Sequence, residues 1–491
     1  MGVQRMSVQD ALWLTMDRPN NLMVIDVAVV LAGMPTVEDM LAKFGGLVAQ
    51  YPVFGRKAQR RGGTWLWIDD PAFDLARHVS VVELDEAVDM AGVQARVAHL
   101  RSQPMDRAHP LWSTTLIGPV VLSDGVTGSV IVTRFHHAIA DGVRLTQVML
   151  GMLNRRANGV VPPVARNGVS GGPILSLDSA RSSAAELVRL VTHGSRSLAA
   201  AAGHAVTHPR SVLASTPGAV STVVGSVRHP DRFVDAFEAV GGDDHRSVND
   251  MTSVGKLVLG GSDRTVWTGH PGRAKAVAWS DPMSLSHVKQ AARRHRATVN
   301  DILVGALAGA LRAYLAGRGD AVDEVIWMVP VNLKPFDQEL PEELGNHFAL
   351  VMLDMPLGGE SPTARVADMR HRMKRIKNSD EPVITFGLQR AISMTPQALA
   401  TFATNFFANK AIGVLTNVPG PNIELDFAGV PVRQVIGFAP CSGDQPLTAT
   451  IFTYNDSVTV GFASDAGLVP DPHTLVALVT AELEELVRER D

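Results

Sequence analysis

Cysteine is almost absent from this sequence: Cys441 is the one cysteine in 491 residues. A single cysteine excludes a disulfide within the chain and is typical of proteins that work in a reducing compartment. No cysteine-protease signature surrounds Cys441, so thiol catalysis is not indicated. The first ten residues lack the basic segment and apolar core of a signal peptide. We therefore expect a cytoplasmic protein.

Long hydrophobic runs and an excess of one charge are also missing. No uninterrupted apolar run reaches the roughly 18 residues that a membrane-spanning helix needs, so any membrane association is expected to be peripheral. The 45 basic and 49 acidic side chains leave a net charge of −4, which does not favour nucleic-acid binding. The chain is longer than one hydrophobic core usually serves, which predicts two domains.

Composition divides the chain into three regions. Residues 1–178 and 263–491 mix strand and helix patterns, which predicts an α/β protein with two domains. Residues 179–262 separate them, and their first part, 179–228, carries five arginines against one glutamate. Residues 151–178 are rich in Gly, Pro, Asn and Ser, as linkers are. The clearest predicted elements are strands over 24–31 and 129–135 and helices over 37–50 and 89–101.

The most informative pattern is His-His-Ala-Ile-Ala-Asp-Gly at residues 136–142, where a predicted strand meets a predicted helix. A histidine at such a junction can reach a substrate and take a proton near neutral pH. Side chains alternate along a strand, so His136 and His137 are expected to point in different directions. The whole pattern indicates that His137 is a general base. His136 is expected to be a buried histidine with a hydrogen-bonded ring.

The other two fixed positions of this pattern have structural interpretations beside the catalytic one. Asp141 directly precedes a predicted helix, where aspartate is a preferred N-cap; we favour this positioning role over direct proton transfer. Gly142 would let the backbone approach a ligand closely and could offer an amide at the helix start. No third ligand lies at metal-like spacing nearby, so no metal site is expected.

The chain resembles the wax ester synthase/diacylglycerol acyltransferase family of bacterial acyl-CoA O-acyltransferases. The histidine motif alone is shared with a wider superfamily that includes condensation domains and chloramphenicol acetyltransferase. Further short matches, in order along the chain from residue 7 to about 470, narrow the resemblance from the superfamily to this family. They are Ser7–Leu14, Pro110-Leu111-Trp112, Asn300-Asp301, Thr416–Pro421 and, more weakly, Leu344-Gly345-Asn346.

The residue types at these matched positions also predict structural roles. Pro110 would rigidify a bend, and Trp112 offers a large apolar face or is an ordinary core tryptophan. Thr298 with Asp301 predicts a capping box at the start of a helix over 299–316, which makes Asp301 structural. Asn300 either orders the pocket or makes a hydrogen bond in a turn.

The segment around Asn417 and Gly420 reads as a strand that ends in a stiff turn. Whether this turn lines a substrate channel or is only structural is left open by the spacing.

The resemblance implies two chloramphenicol-acetyltransferase-like α/β domains joined by a helical crossover, with a channel between them. It implies that acyl-CoA and a lipid alcohol meet at His137, and that the product is triacylglycerol or a wax ester. No cofactor is expected besides acyl-CoA as co-substrate. The arginines of 179–228 could bind anionic lipid at a membrane or lipid droplet, or lie on a solvated helical crossover.

The sequence departs from the family at three places. Arg144 stands where a small residue is expected, and would reshape the acceptor pocket or point to solvent. Residues 439–445 replace an expected glycine-rich stretch, and Val8-Gln9 replaces a Pro-Leu-type pair. Two other functions are therefore open: a condensation-type or polyketide-associated acyltransferase, and a catalytically weak lipid-binding or lipid-droplet protein.

Overall fold

The protein is described from a computed structural model, which covers residues 2–155, 263–332, 340–341, 343–346, 348–359, 361–377, 385, 389 and 397–488. The predicted connecting segment, 179–262, lies outside the described residues. The predicted domain boundary at residue 178 lies outside them as well.

Mixed strands and helices build the N-terminal half. In chain order they are β1 (Val3–Arg5), α1 (Val8–Met16), β2 (Val24–Leu31), α2 (Val37–Gln50), β3 (Arg56–Arg61), β4 (Thr64–Asp69), β5 (Val79–Val88), α3 (Met90–Arg101), β6 (Trp112–Val121), β7 (Thr127–His136), α4 (Gly142–Gly151) and β8 (Asn154–Arg155). The predicted strands and helices of this half are confirmed. Asp89, predicted as the first residue of α3, is its N-cap.

The C-terminal half repeats this mixture. Its elements are β9 (Lys275–Trp279), β10 (Met283–Ser284), α5 (Leu285–Arg294), α6 (Val299–Ala316), β11 (Glu324–Asn332), β12 (Phe348–Pro356), α7 (Pro362–Lys377), α8 (Gln397–Ala408), β13 (Gly413–Pro419), β14 (Leu425–Phe427), β15 (Val430–Phe438), β16 (Leu447–Tyr454), β17 (Ser457–Asp465) and α9 (Pro472–Arg488).

Two seven-stranded sheets and one three-stranded sheet organise these strands. The N-terminal sheet has the order β5-β6-β7-β2-β15-β14-β8. The C-terminal sheet has the order β10-β17-β16-β13-β11-β12, with β9 also paired to β17. β2 is buried along its whole length, as its run of apolar and β-branched side chains predicts. It pairs antiparallel with β7, which places Val24 opposite His136.

Strands from the C-terminal half complete the N-terminal sheet. β15 pairs antiparallel with β2, so that Val29 lies opposite Val435, and β14 pairs with β8. Arg101 of α3 adds a side-chain link, because it binds Asp26 of β2 and donates to the carbonyl of Ala439 at 2.6 Å. The two halves therefore share one sheet.

Helix α6 is the centre of the C-terminal core. Thr298 and Asp301 form the predicted capping box, with hydrogen bonds in both directions. A Cβ at Gly305 would lie 2.7 Å from the side chain of Val366, so this glycine lets α6 and α7 pack closely. By length and composition α6 could cross a membrane, but 83% of it is buried inside the protein. This burial is that of a core helix.

Candidate active site

The histidine pair ends β7 and enters a tight turn that leads into α4. The backbone N–H of His136 donates to the carbonyl of Leu111 at 2.9 Å, and that of His137 donates to Met23 at 2.8 Å. Segments that flank β7 on both sides therefore hold the backbone of this turn.

The His136 ring is buried on one side of the turn. Its Nδ1 accepts a hydrogen bond from the Ala138 N–H at 3.1 Å, and its Nε2 lies 3.7 Å from a carboxylate oxygen of Asp17. Arg107 also binds Asp17, at 3.0 Å. Burial lowers the pKa of His136, and Asp17 opposes this in part. The ring is thus that of a neutral, structurally engaged histidine, as its interpretation as a core residue predicts.

The His137 ring lies among aromatic side chains from both halves. Trp13 of α1 stacks on it, with ring centroids 3.9 Å apart, and Phe348 of β12 lies 5.5 Å away at an angle of 44°. The residue is 6% exposed. Burial lowers the pKa of His137 to about 3, so the ring is neutral at pH 7 and one of its two nitrogens carries a lone pair. The two histidine rings have separate surroundings, as strand alternation predicts.

Asn346 fixes the turn from the C-terminal half. Its Nδ2 donates to the backbone carbonyl of His137 at 2.9 Å and to Asp10 Oδ1 at 2.8 Å. Its backbone N–H donates to the same carboxylate oxygen at 3.2 Å. Burial raises the pKa of Asp10, which these hydrogen bonds oppose. A buried polar link therefore joins α1, the histidine turn and the C-terminal half.

Asp141 is the N-cap of α4, as predicted. Its Oδ1 accepts the backbone N–H of Arg144 at 3.0 Å, and its Oδ2 lies 3.9 Å from Arg144 Nε. The Arg144 side chain is buried, with 6% of the residue exposed. The suggestion that Arg144 points to solvent is therefore wrong, because the helix turns this side chain into the protein.

Buried polar atoms without a hydrogen-bond partner gather around this turn. They are Trp13 Nε1, His136 Nε2, His137 Nδ1, Arg144 Nη1 and Asn346 Oδ1. Each such atom costs about 1–3 kcal/mol when it stays unsatisfied, and native proteins contain few of them. Such atoms also occur elsewhere in the described chain, but here they lie on the histidine motif and its contacts, which makes the turn a candidate for binding a polar ligand.

Pro110 and Trp112 support the turn from the core. The Trp112 indole N–H donates to the carbonyl of Phe54 at 2.8 Å. Its ring stacks on His78 and Phe44, at centroid distances of 4.6 and 5.6 Å. The Trp112 backbone N–H donates to Pro110 at 2.9 Å. These contacts agree with the core-tryptophan interpretation and fix the start of β6, beside the histidines.

Asn300 and Asn417 meet in the C-terminal half. Asn417 of β13 donates through Nδ2 to Asn300 Oδ1, at the start of α6. Both are buried, so this pair joins the helix to the strand. Asn346 and Phe348 of the C-terminal half contact His137 of the histidine turn, whereas Asp301 is engaged in its capping box.

Two glycines of the predicted site differ in what surrounds them, which gives a paired prediction. A Cβ at Gly420 would lie 2.2 Å from the backbone carbonyl of Thr453, so we expect Gly420→Ala to lower the free energy of unfolding by about 1–3 kcal/mol. A Cβ at Gly142 would meet only Ile25, at 3.9 Å. Gly142→Ala is therefore expected to fold with wild-type stability and to lose activity if substrate approaches this backbone. Urea unfolding and an activity assay check both; a destabilised Gly142→Ala would contradict the prediction.

The burial of His137 predicts a pH dependence of stability. The unfolded chain binds a proton at this ring below about pH 6.5, whereas the folded protein binds it only near pH 3. The unfolded state thus holds more protons between these values, and stability is lost as the pH falls through this window. From pH 7.5 to 5.5 the loss is about 1 kcal/mol for one such histidine. Urea unfolding at both pH values measures it, and an equal loss in His137→Ala would refute the assignment.

Sequence reasoning did not place four residues of this site: Asp10, Trp13, Asn346 and Phe348. Asp10, Trp13 and Asn346 lie within segments that resemble the family, so a signal for them existed. No sequence signal pointed to Phe348. In the part of the chain that the structure describes, no three His, Cys, Asp or Glu side chains are grouped so that they could hold a metal.

Two mixed α/β halves that share a sheet, with a His-His-x-x-x-Asp-Gly turn in contact with both, define an acyltransferase of the superfamily that uses this motif. The family model of the wax ester synthase/diacylglycerol acyltransferase catalytic domain matches residues 6–303, and that of the C-terminal domain matches residues 344–487. The chain belongs to the wax ester synthase/diacylglycerol acyltransferase family.

Known proteins agree with this assignment along almost the whole chain. A probable diacylglycerol O-acyltransferase of Mycobacterium tuberculosis is 23% identical over 482 residues, which cover 96% of this chain and 92% of the relative. The solved wax ester synthase/diacylglycerol acyltransferase from Marinobacter aquaeolei VT8 superimposes with a TM-score of 0.62 at 18% identity, covering 98% of each chain. The first condensation domain of the calcium-dependent antibiotic synthetase gives 0.54 at 13% identity, covering 100% of this chain and 98% of that one. The predicted fold class is confirmed.

Proposed function

We propose that this protein transfers the acyl group of an acyl-CoA to the hydroxyl of a lipid alcohol, with His137 as general base. The acceptor is diacylglycerol, a long-chain alcohol or both, which gives triacylglycerol or a wax ester. The observation that carries the proposal is the neutral His137 ring, beside buried polar atoms that have no partner. The family and the printed name of the Mycobacterium tuberculosis relative support the reaction class.

The chemistry needs one base and no covalent acyl-enzyme. His137 takes the proton of the acceptor hydroxyl as its oxygen attacks the thioester carbonyl carbon. The tetrahedral intermediate collapses when the carbon–sulfur bond breaks, and the CoA thiolate takes the proton from the imidazolium. An alcohol is too weak an acid to give up its proton to an imidazole beforehand, so the proton is removed as the oxygen attacks. Holding both substrates at one place supplies a further part of the rate.

Asp141 and Asn346 serve this step by position. Asp141 begins α4 and sets where the turn ends, and Asn346 holds the His137 carbonyl. The ring is thereby fixed by its backbone and by the Trp13 stack. Such support matters because small displacements of a catalytic group cost large factors in rate.

The location of the protein follows from the acceptor. A lipid alcohol resides in membranes or lipid droplets, so we propose a cytoplasmic protein that associates peripherally with such a surface. The arginines of 179–228 are the candidates for this association and lie outside the described residues. Flotation with anionic and neutral liposomes tests this association. Equal binding to both kinds of liposome would show that these arginines do not mediate it.

Product identification tests the function. The purified protein is incubated with palmitoyl-CoA and either dioctanoylglycerol or hexadecanol, and the lipids are analysed by mass spectrometry. The proposal expects a triacylglycerol, a palmityl wax ester or both, each absent when protein is omitted. Lipid binding without any product would favour the catalytically weak lipid-binding protein instead.

A further inference from the structure

Arg144 is a buried cation that the reaction described above does not use. Its side chain is about nine-tenths buried, and it projects from the first turn of α4, three residues after Asp141. Its Nε lies 3.9 Å from Asp141 Oδ2, beyond hydrogen-bond distance. Its Nη1 is buried and has no hydrogen-bond partner in the described part of the chain.

A purely structural role leaves this arrangement unexplained. Asp141 caps α4 through the backbone N–H of Arg144, and any residue except proline at position 144 supplies that N–H. Burying a guanidinium is costly, and a protein recovers this cost only when its N–H groups are bonded. The unpaired Nη1 beside the histidine turn can therefore donate a hydrogen bond to an oxygen atom of a bound ligand.

We propose that Arg144 determines acceptor specificity by donating a hydrogen bond to an ester carbonyl of the acceptor. The inference rests on the proposed acyl transfer. In a 1,2-diacylglycerol the carbon that bears the free hydroxyl is bonded to a carbon that bears an ester. In the proposed complex the hydroxyl lies at His137 and the neighbouring ester carbonyl lies at Arg144. A simple long-chain alcohol has no carbonyl and leaves the guanidinium unpaired.

The expected size of the effect follows from hydrogen bonds of charged groups. A lipid alcohol without the carbonyl leaves the buried Arg144 N–H unpaired, and this lowers the rate with that substrate. For a hydrogen bond to a charged group this amounts to about tenfold to a hundredfold in kcat/KM. Diacylglycerol is therefore the favoured acceptor of the wild-type protein.

The test compares two acceptors of nearly equal shape. Palmitoyl-CoA is supplied with 1,2-dioctanoylglycerol or with 1,2-di-O-octylglycerol, in which ethers replace both esters, and CoA release is measured. The variants are Arg144→Met, which removes the donor, and Arg144→Lys, which keeps the charge without the forked geometry. Arg312→Met, at an exposed position of α6, is the matched control for loss of an arginine.

The ratio of kcat/KM for the ester over the ether is the readout, because the fraction of folded protein cancels in it. We expect about tenfold to a hundredfold for the wild type and for Arg312→Met, about one for Arg144→Met and an intermediate ratio for Arg144→Lys. A wild-type ratio near one, or an Arg144→Met ratio equal to that of the wild type, would overturn the inference while acyl transfer stands. Failure of the wild type to use any acceptor would overturn the proposed function, and the inference with it.

Discussion

His137→Ala is expected to lower kcat for acyl transfer by about a hundredfold to ten-thousandfold, the usual contribution of a general base. Alanine removes the group that takes the hydroxyl proton and leaves the backbone N–H bonded to Met23. The Asn346 side chain donates to the backbone carbonyl of residue 137, so alanine at this position also keeps that bond. The fold is therefore expected to survive, although the Trp13 stack is lost.

The neighbouring histidine is the control for this variant. His136 is also buried and has a lowered pKa, but its ring faces Asp17 and the Ala138 N–H. We expect His136→Asn to lose stability with a smaller fall in kcat per folded molecule. Thermal unfolding and CoA release on the same preparations separate the two effects. A fully active His137→Ala protein would refute the role of this residue.

Asp141→Asn is expected to lower the free energy of unfolding by roughly 3 kcal/mol, because it leaves the buried Arg144 without a counter-charge. Asparagine still caps the helix, since it is as good an N-cap as aspartate. Loss of the Asp141 charge also relieves repulsion at Asp10, but this is the smallest contribution to the raised pKa of that carboxyl. The net effect is therefore destabilising, and urea unfolding measures it.

The double variant Asp141→Asn, Arg144→Met controls for the loss of charge. It removes both members of the pair, so no unbalanced buried charge remains. Its stability is expected to recover most of what the single Asp141 variant loses, a coupling that a double-mutant cycle reports. Wild-type stability of the single variant would show that Arg144 does not depend on Asp141.

Local patterns predicted much of this structure because each is decided within a few residues. The strand over 24–31 follows from its run of β-branched residues, and the helix over 37–50 follows from side-chain periodicity. The capping box of Thr298 with Asp301 follows from hydrogen bonds over three residues. Asp141 as an N-cap is of the same kind.

Contacts between distant segments escaped the sequence patterns. Nothing in the composition of 430–438 indicates that β15 joins β2, since any apolar strand edge could accept it. Phe348 contacts His137 although 211 positions separate them. In the sequence this phenylalanine cannot be distinguished from an ordinary core residue. The sequence also did not decide whether the Arg144 side chain faces solvent or the interior, because side chains in the first turn of a helix can do either; in the structure it is buried. Burial of a charged side chain depends on the tertiary neighbours that the turn brings together.

The central claim is that one neutral histidine drives direct transfer between two bound substrates. The most direct test measures CoA release by the purified wild-type protein from palmitoyl-CoA alone and with dioctanoylglycerol or hexadecanol, beside the triacylglycerol or wax ester formed. Direct transfer predicts CoA release that requires the acceptor and equals the product one to one. A burst of CoA without acceptor, which signals an acyl-enzyme, or no release with either acceptor class, would contradict the claim.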